Sequence, residues 1–417
     1  MIYLPFIFFS ILSVFHIRKS KKLDIGAFLM LLYAFSSAMS ILLYSSPYLY
    51  YRYTKLDLSA TIYYCLMLIL FFVPFLAKEH SRKLNVIKPN MAFFYLVSFS
   101  FIILNLFAII FSLKYTIFVL SNNPGSFKVG ADIMMRKLGY NLNFLESASH
   151  YILGHFSDFY VLILVIFFYS VTFLKRNNLF NILLLVSSMS TIINGLNTGG
   201  RTQMIYWVLV FIACFLYFYK YMSNKTRRYI LSLFFFFILL FSVYFAAVTI
   251  YRFSHYYSTT VVHQEVMSII DYAGQSYLNF NRIFSQFDEH HYTLARIFPI
   301  TRDIFINPDF DIRDYRYLLT VDIAIFYTFL GDLYVDIGIL GTCIYAMLFL
   351  ILYYLTQLGK RSDFIHFHQI VFIFLFLQIP LNGIFYYSLW NKTATISIIG
   401  TIVISFIFMI LKKRTNG

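Results

Sequence analysis

Residues 179–219 read LFNILLLVSSMSTIINGLNTGGRTQMIYWVLVFIACFLYFY: an apolar run, a Gly/Asn-rich turn ending in an arginine, then a second apolar run. Each run approaches the roughly 20 residues that cross a bilayer as a helix. The turn Asn194-Gly195-Leu196-Asn197-Thr198-Gly199-Gly200-Arg201-Thr202-Gln203 is too short and too polar to be anything but a connection between them. The pattern is a helical hairpin made for hydrocarbon, and the rest of the chain repeats it. Of the 417 residues, 60% are hydrophobic, 21% aromatic and only 12% charged, against about 25% charged in soluble domains. The fold class is therefore an all-α polytopic membrane protein.

Eleven apolar spans are expected, at 2–16, 25–44, 58–77, 91–113, 151–174, 179–195, 202–219, 229–250, 333–356, 364–388 and 394–411. The whole chain, 1–417, reads as a single membrane domain, with large outer loops at 114–150 and 251–332. The first run has no basic residue ahead of it and a basic cluster (Arg18, Lys19, Lys21, Lys22) behind it, unlike a cleavable signal peptide. The short loops on one side (17–24, 78–90, 175–178, 220–228, 357–363) and the tail 412–417 hold 19 of the 33 Lys and Arg, but three of the 18 acids. That asymmetry marks the cytoplasmic side. The net charge of +15 is thus a topology signal, and nucleic acid is not an expected partner.

The outer loop 251–332 carries Arg252, Arg282, Arg296, Arg302, Arg313 and Arg316 and no lysine. Guanidinium forks hold phosphate and carboxylate bidentately, whereas lysine acts as a point charge. Pairing with nearby acids such as Asp303, Asp309, Asp311 and Asp314 is the alternative for the last three. Residues 261–287 have apolar positions near helical spacing and predict one or two amphipathic helices, lying on the membrane or capping the bundle. The ninth span opens with Thr328-Phe329-Leu330-Gly331-Asp332-Leu333-Tyr334-Val335-Asp336-Ile337-Gly338-Ile339-Leu340-Gly341. Asp332 and Asp336 share a helical face, and Gly338 and Gly341 read as a close-packing pair.

Weaker signals carry less. Asp309-Phe310-Asp311 and Asp288-Glu289-His290-His291 hold metal-type ligands, but each reads better as a solvated loop, and no metal or cofactor is expected. His366 and His368 read as interfacial histidines, and Cys65, Cys214 and Cys343 have no disulfide or metal spacing. No P-loop, GxSxG, HExxH or GxGxxG stands in a fitting strand–helix setting.

Apolar helix, GLNTGGRTQ, apolar helix, long outer loop and TFLGDLYVDIGILG together resemble the Wzy-type oligosaccharide repeat-unit polymerases of O-antigen and capsule synthesis. The likeness is one of topology over most of the chain and of motif at 194–203 and 326–341. It implies a multi-pass glycosyltransferase of the bacterial inner membrane, acting at the periplasmic face. Its substrates would be undecaprenyl-pyrophosphate-linked oligosaccharides, and a polysaccharide chain-length regulator is a candidate partner. Related O-antigen ligases place a histidine just ahead of the corresponding helix, where this chain has Tyr327 and Thr328, so the polymerase is favoured. A ligase and a flippase of lipid-linked oligosaccharide are the alternatives. In this reading Arg201 and Arg252 stabilise the pyrophosphate leaving group and Asp332 orients or deprotonates the acceptor hydroxyl. Arg282 or Arg296 adds a clamp, and the family's outer-loop Arg/Gly spacing is absent at Arg136 and Arg296, so both are carried over weakly from the resemblance. Tyr277 and Tyr334 stack on sugar faces, and His255 is a reserve proton carrier. Arg201→Ala at normal protein level is expected to abolish chain polymerisation, read as loss of the glycan ladder; an unchanged ladder would remove Arg201 from the site.

Overall fold

The computed structural model describes residues 1–45, 55–77, 82–121, 143–174, 177–197, 200–254, 264–287, 290, 294, 296–298, 326–358, 363–389 and 391–411. The chain is all-α. In order the helices are α1 (Leu4–Ser20), α2 (Ile25–Tyr44), α3 (Leu58–Phe72), α4 (Met91–Ser121), α5 (Phe144–Phe156), α6 (Tyr160–Tyr169) and α7 (Asn178–Ser188). They continue with α8 (Ser190–Asn197), α9 (Thr202–Tyr219), α10 (Asn224–Ser254), α11 (Gln264–Gln286), α12 (Thr328–Thr356), α13 (Phe367–Asn382) and α14 (Lys392–Ile410).

Nine helical stretches among the described residues are long and apolar enough to cross a membrane, so this is a multi-pass membrane protein. The expected first and tenth spans are the two that fall short. They correspond to α1, of 17 residues, and α13, of 16 residues. At about 1.5 Å per residue these rise about 24–26 Å, at or just under the lower limit for crossing about 30 Å of hydrocarbon. The tenth is shortened because residues 364–366 are extended and a turn at 383–385 follows Pro380. Other helices run further than expected. The expected loop 114–150 is helical over 114–121 and 144–150, and α10 continues past residue 250 to Ser254.

Two compact units divide the chain. The first comprises Met1–Leu84, Val266–Phe364 and Leu375–Thr395. Its core is aromatic: Phe9 of α1, Tyr33 of α2, and Tyr64 and Phe72 of α3 meet with ring centroids 5.2–6.4 Å apart. The amphipathic segment is a single helix, α11, and it does not lie on a surface. Gly274, Ser276 to Asn281 and Ile283 are buried against α2 and α3. Gly274 makes this possible, since a Cβ there would lie 2.6 Å from the Met39 backbone. Polar contacts fix the register. Ser36 donates to the Ala273 carbonyl (2.8 Å) and Ser40 to that of Gly274 (2.5 Å). Asn281 accepts the Asp57 N–H (2.7 Å) and donates to the Asp57 carbonyl (2.8 Å) and to Thr61 (3.1 Å). Asn281 thus meets backbone and side-chain partners, as an apolar surround demands.

The second unit comprises Asn85–Glu265, Ile365–Phe374 and Ile396–Gly417. All ten residues of α6 are buried, as expected of a helix apolar all round. On α4 the buried polar residues Ser98, Asn105 and Ser112 recur every seven residues, with Thr116 one turn on. Ser98, Asn105 and Ser112 donate back to carbonyls of their own helix at 2.7–3.1 Å, and other side chains link neighbouring helices. Ser187 donates to the Phe101 carbonyl (3.0 Å), Thr116 to Asn197 (2.6 Å), and the Trp207 indole to Ser188 (2.9 Å). Such side chains let membrane helices approach and link them.

Asn281→Ala is expected to lower the stability of the detergent-solubilised protein by about 1–3 kcal/mol, because it orphans the Asp57 N–H, although the Asp57 carbonyl keeps Thr61. Thermal unfolding measures it, and an unchanged transition would contradict the clamp.

Candidate functional site

In the first unit a cluster of charged and phenolic groups forms at the start of α12. The helix begins under constraint. Thr328 has φ 64°, a left-handed conformation that is unfavourable for a β-branched residue. It is held there by the 383–385 turn. The N–H groups of Tyr327 and Thr328 both donate to the Phe385 carbonyl (3.0 and 2.8 Å), and that of Phe329 donates to Gly383 (2.8 Å). The helix N-terminus, whose first N–H groups have no intrahelical partner, is thereby satisfied by protein.

Ten residues later the helix breaks. Gly338 has φ 68° and ψ −173°, a combination essentially confined to glycine. Thr342 re-engages the freed Gly338 carbonyl at 2.7 Å. Residues 328–338 are all buried, whereas Ile339 and Leu340 are exposed. The expected close-packing glycine pair is therefore something else: Gly338 interrupts the helix, and Gly341 lies against Ile337 of its own helix.

Asp332 and Asp336 share a face of the buried half-helix, and both meet the segment that carries Arg296. Arg296 Nε donates to Asp332 Oδ1 at 2.6 Å. Tyr327 donates to the same oxygen at 3.0 Å and accepts from the Arg296 guanidinium. The Tyr387 N–H donates to Asp332 Oδ2 at 2.6 Å. Asp336 Oδ2 accepts the backbone N–H groups of Arg296 and Ile297 at 3.0 and 3.3 Å. One carboxylate thus holds the arginine side chain and the other holds its backbone. Burial opposes the charge on Arg296, but the Tyr327 oxygen and the Asp332 and Asp336 carboxylates outweigh it and hold the guanidinium above its ordinary value. Burial raises the Tyr327 phenol well above the usual tyrosine range, despite the arginine beside it, so it stays a neutral donor.

Of the residues expected at the site, Arg296 and Asp332 are brought into contact. With both oxygens taken by three donors, Asp332 is here a positioning residue for Arg296. Tyr277 and Tyr334, expected to stack on sugars, lie instead inside the packing. The Tyr277 hydroxyl pairs with Thr61 (2.7 Å), and burial pushes its phenol up to about 12 against that bond. Tyr334 donates to the carbonyls of Phe284 (3.1 Å) and Phe287 (3.2 Å), with its ring stacked on Phe284. Arg282 is half-exposed on α11 and donates along its own helix to Gln286 at 3.3 Å.

Arg201 belongs to the second unit, where it is 8% exposed and occupies the residue just ahead of the 18-residue α9, without a side-chain cap. The expected turn is partly helical, since α8 continues through Asn194 and Gly195 to Asn197. The Gly200 N–H closes back on the Gly195 carbonyl at 2.7 Å. Asn194 donates to Ser157 at 3.1 Å. Arg252 lies in α10, and its side chain is outside the described residues, as are Arg136, His255 and Asp309 to Asp311. Of Asp288 to His291 only His290 is described, with Nδ1 3.4 Å from the Val335 carbonyl.

Two participants were not legible as such in the sequence. Tyr327 stood out only as the residue in place of a histidine, and the Tyr387 amide has no sequence signal. Comparison with protein-family models, curated proteins and solved structures returns no match.

Arg296→Met is expected to destabilise the protein by about 3–5 kcal/mol, since it strands a buried carboxylate. The double variant Arg296→Met/Asp332→Leu should recover part of that loss in thermal unfolding. A double variant no more stable than Arg296→Met would show that the pair is not coupled.

Proposed function

We propose that the chain polymerises undecaprenyl-pyrophosphate-linked oligosaccharide repeat units at the periplasmic face of the bacterial inner membrane, as a glycosyltransferase of O-antigen or capsule synthesis. The observation that carries the reading is the Arg296–Asp332 contact at 2.6 Å, buried with Tyr327 at the start of a membrane-crossing helix. Ionisable groups in such helices are costly, and those retained usually face a cavity or pathway and serve function. The resemblance of residues 194–203 and 326–341 supplies the reaction class.

The chemistry suits these groups. The acceptor hydroxyl oxygen bonds to the anomeric carbon of the donor chain while the carbon–oxygen bond to pyrophosphate breaks. The electron pair of that bond leaves on the pyrophosphate oxygen, and the hydroxyl proton passes to a carboxylate. A preorganised cation meeting the developing charge contributes about 3–4 kcal/mol per well-placed donor. Arg296 is such a cation in the first unit, with Asp332 as the carboxylate. In the second unit Arg201, buried at the head of α9, stands where a helix favours anions.

One feature favours the flippase as second reading. Gly338 makes α12 a discontinuous helix, a device that transporters use to build binding sites. Deleting the gene and examining the surface glycan separates the readings. Polymerase predicts a single repeat unit in place of the ladder, ligase predicts polymer held on carrier lipid, and flippase predicts loss of periplasmic glycan. An intact ladder would sink all three.

A further inference from the structure

Asp332 and Asp336 divide the task of holding Arg296. Asp336 grips the backbone through two consecutive N–H groups, at residues 296 and 297. Asp332 grips only the side chain, through Nε at 2.6 Å. The guanidinium can therefore change partners while its segment stays in place. The two ends of the ion pair also differ in access: the Arg296 side chain is 16% exposed and that of Asp332 5%. An anion arriving from solvent meets the arginine first. Carboxylate and phosphate oxygens engage a guanidinium through the same planar pattern of donors, so a phosphate can take the place that Asp332 fills. When it does, Asp332 keeps the Tyr387 N–H on Oδ2 and the Tyr327 hydroxyl on Oδ1, and so remains in position without its counter-charge.

We propose that Asp332 is an internal stand-in for the substrate's pyrophosphate, occupying Arg296 until a pyrophosphate group displaces it. This rests on the polymerase reading for the identity of the anion. It adds a sequence of events to that reading. Donor binding moves the guanidinium from carboxylate to phosphate, and a carboxylate stripped of its cation in a dry setting accepts a proton. The base is thereby made ready by the leaving group it works against, and with no donor bound it stays neutralised by Arg296.

The test uses the purified full-length chain in detergent, titrated with inorganic pyrophosphate at constant ionic strength and followed by calorimetry and thermal shift. A latch closed about nine-tenths of the time weakens binding about tenfold. Asp332→Asn, which removes the competing anion, is accordingly expected to bind pyrophosphate roughly tenfold more tightly than the native chain. Arg296→Ala is expected to lose the binding. Tyr327→Phe keeps every charge but removes the hydroxyl shared by both partners. It should bind more tightly than the native chain, and it carries the test should Asp332→Asn not fold. Unchanged or weaker binding in a folded Asp332→Asn or Tyr327→Phe would overturn the proposal, as would native-like binding in Arg296→Ala. The glycan ladder of the deletion strain reports separately on the polymerase reading. Loss of the ladder without tighter pyrophosphate binding ends the stand-in alone, and tighter binding with an intact ladder ends the polymerase alone.

Discussion

Removing a guanidinium from water costs several kcal/mol unless a carboxylate and further hydrogen bonds replace the solvent. The first unit is arranged around meeting that demand for Arg296. It supplies one carboxylate for the side chain, a second for the backbone, a phenol bridging Arg296 and Asp332, and a backbone amide on the far oxygen of Asp332. Three stretches distant in sequence, 296–297, 327–336 and 383–387, are fixed together as a result. The left-handed Thr328 is tolerable in this setting because Phe385 and Gly383 accept the hydrogen bonds that the helix start would otherwise lack.

The same requirement recurs without charge elsewhere. Asn281 in the first unit pairs both backbone groups of Asp57, and in the second unit Ser187, Thr116 and Trp207 donate to groups on neighbouring helices. A membrane protein gains little from the hydrophobic effect in choosing among helix partners, since lipid is as apolar as a leucine. Polar pairs and close approaches such as that of Gly274 on Met39 supply the specificity in its place.

Hydropathy made the helices legible, and the i, i+4 spacing of Asp332 and Asp336 placed both on one face. Three features escaped for physical reasons. Hydropathy averages over a window, so it registered α12 as one span although Gly338 cuts it. The apolar positions of α11 predicted amphipathic helices on the membrane or capping the bundle, but not that the polar residues Asn279 and Asn281 would be partners for other segments rather than for water. The aromatic rings of Tyr277 and Tyr334 read as sugar platforms because composition cannot tell a ring that faces a cavity from one whose hydroxyl closes a packing contact. Arg296 was one loop arginine among six, and only tertiary contact with α12 distinguishes it.

The break at Gly338 also sets a depth. From Ile339 to Thr356 there are 18 residues, and at about 1.5 Å each they rise about 27 Å, close to the hydrocarbon thickness of a bilayer. The lipid-facing part of α12 can therefore cross the bilayer nearly unaided, and the buried half-helix stands as a pedestal at its end. Arg296 and Asp332 then sit at the water boundary. The length of the lower segment acts as a ruler. A single residue inserted between Leu340 and Thr356 would lift the pedestal by about 1.5 Å and turn it by about 100°, changing both the depth of Arg296 and Asp332 and the direction they face.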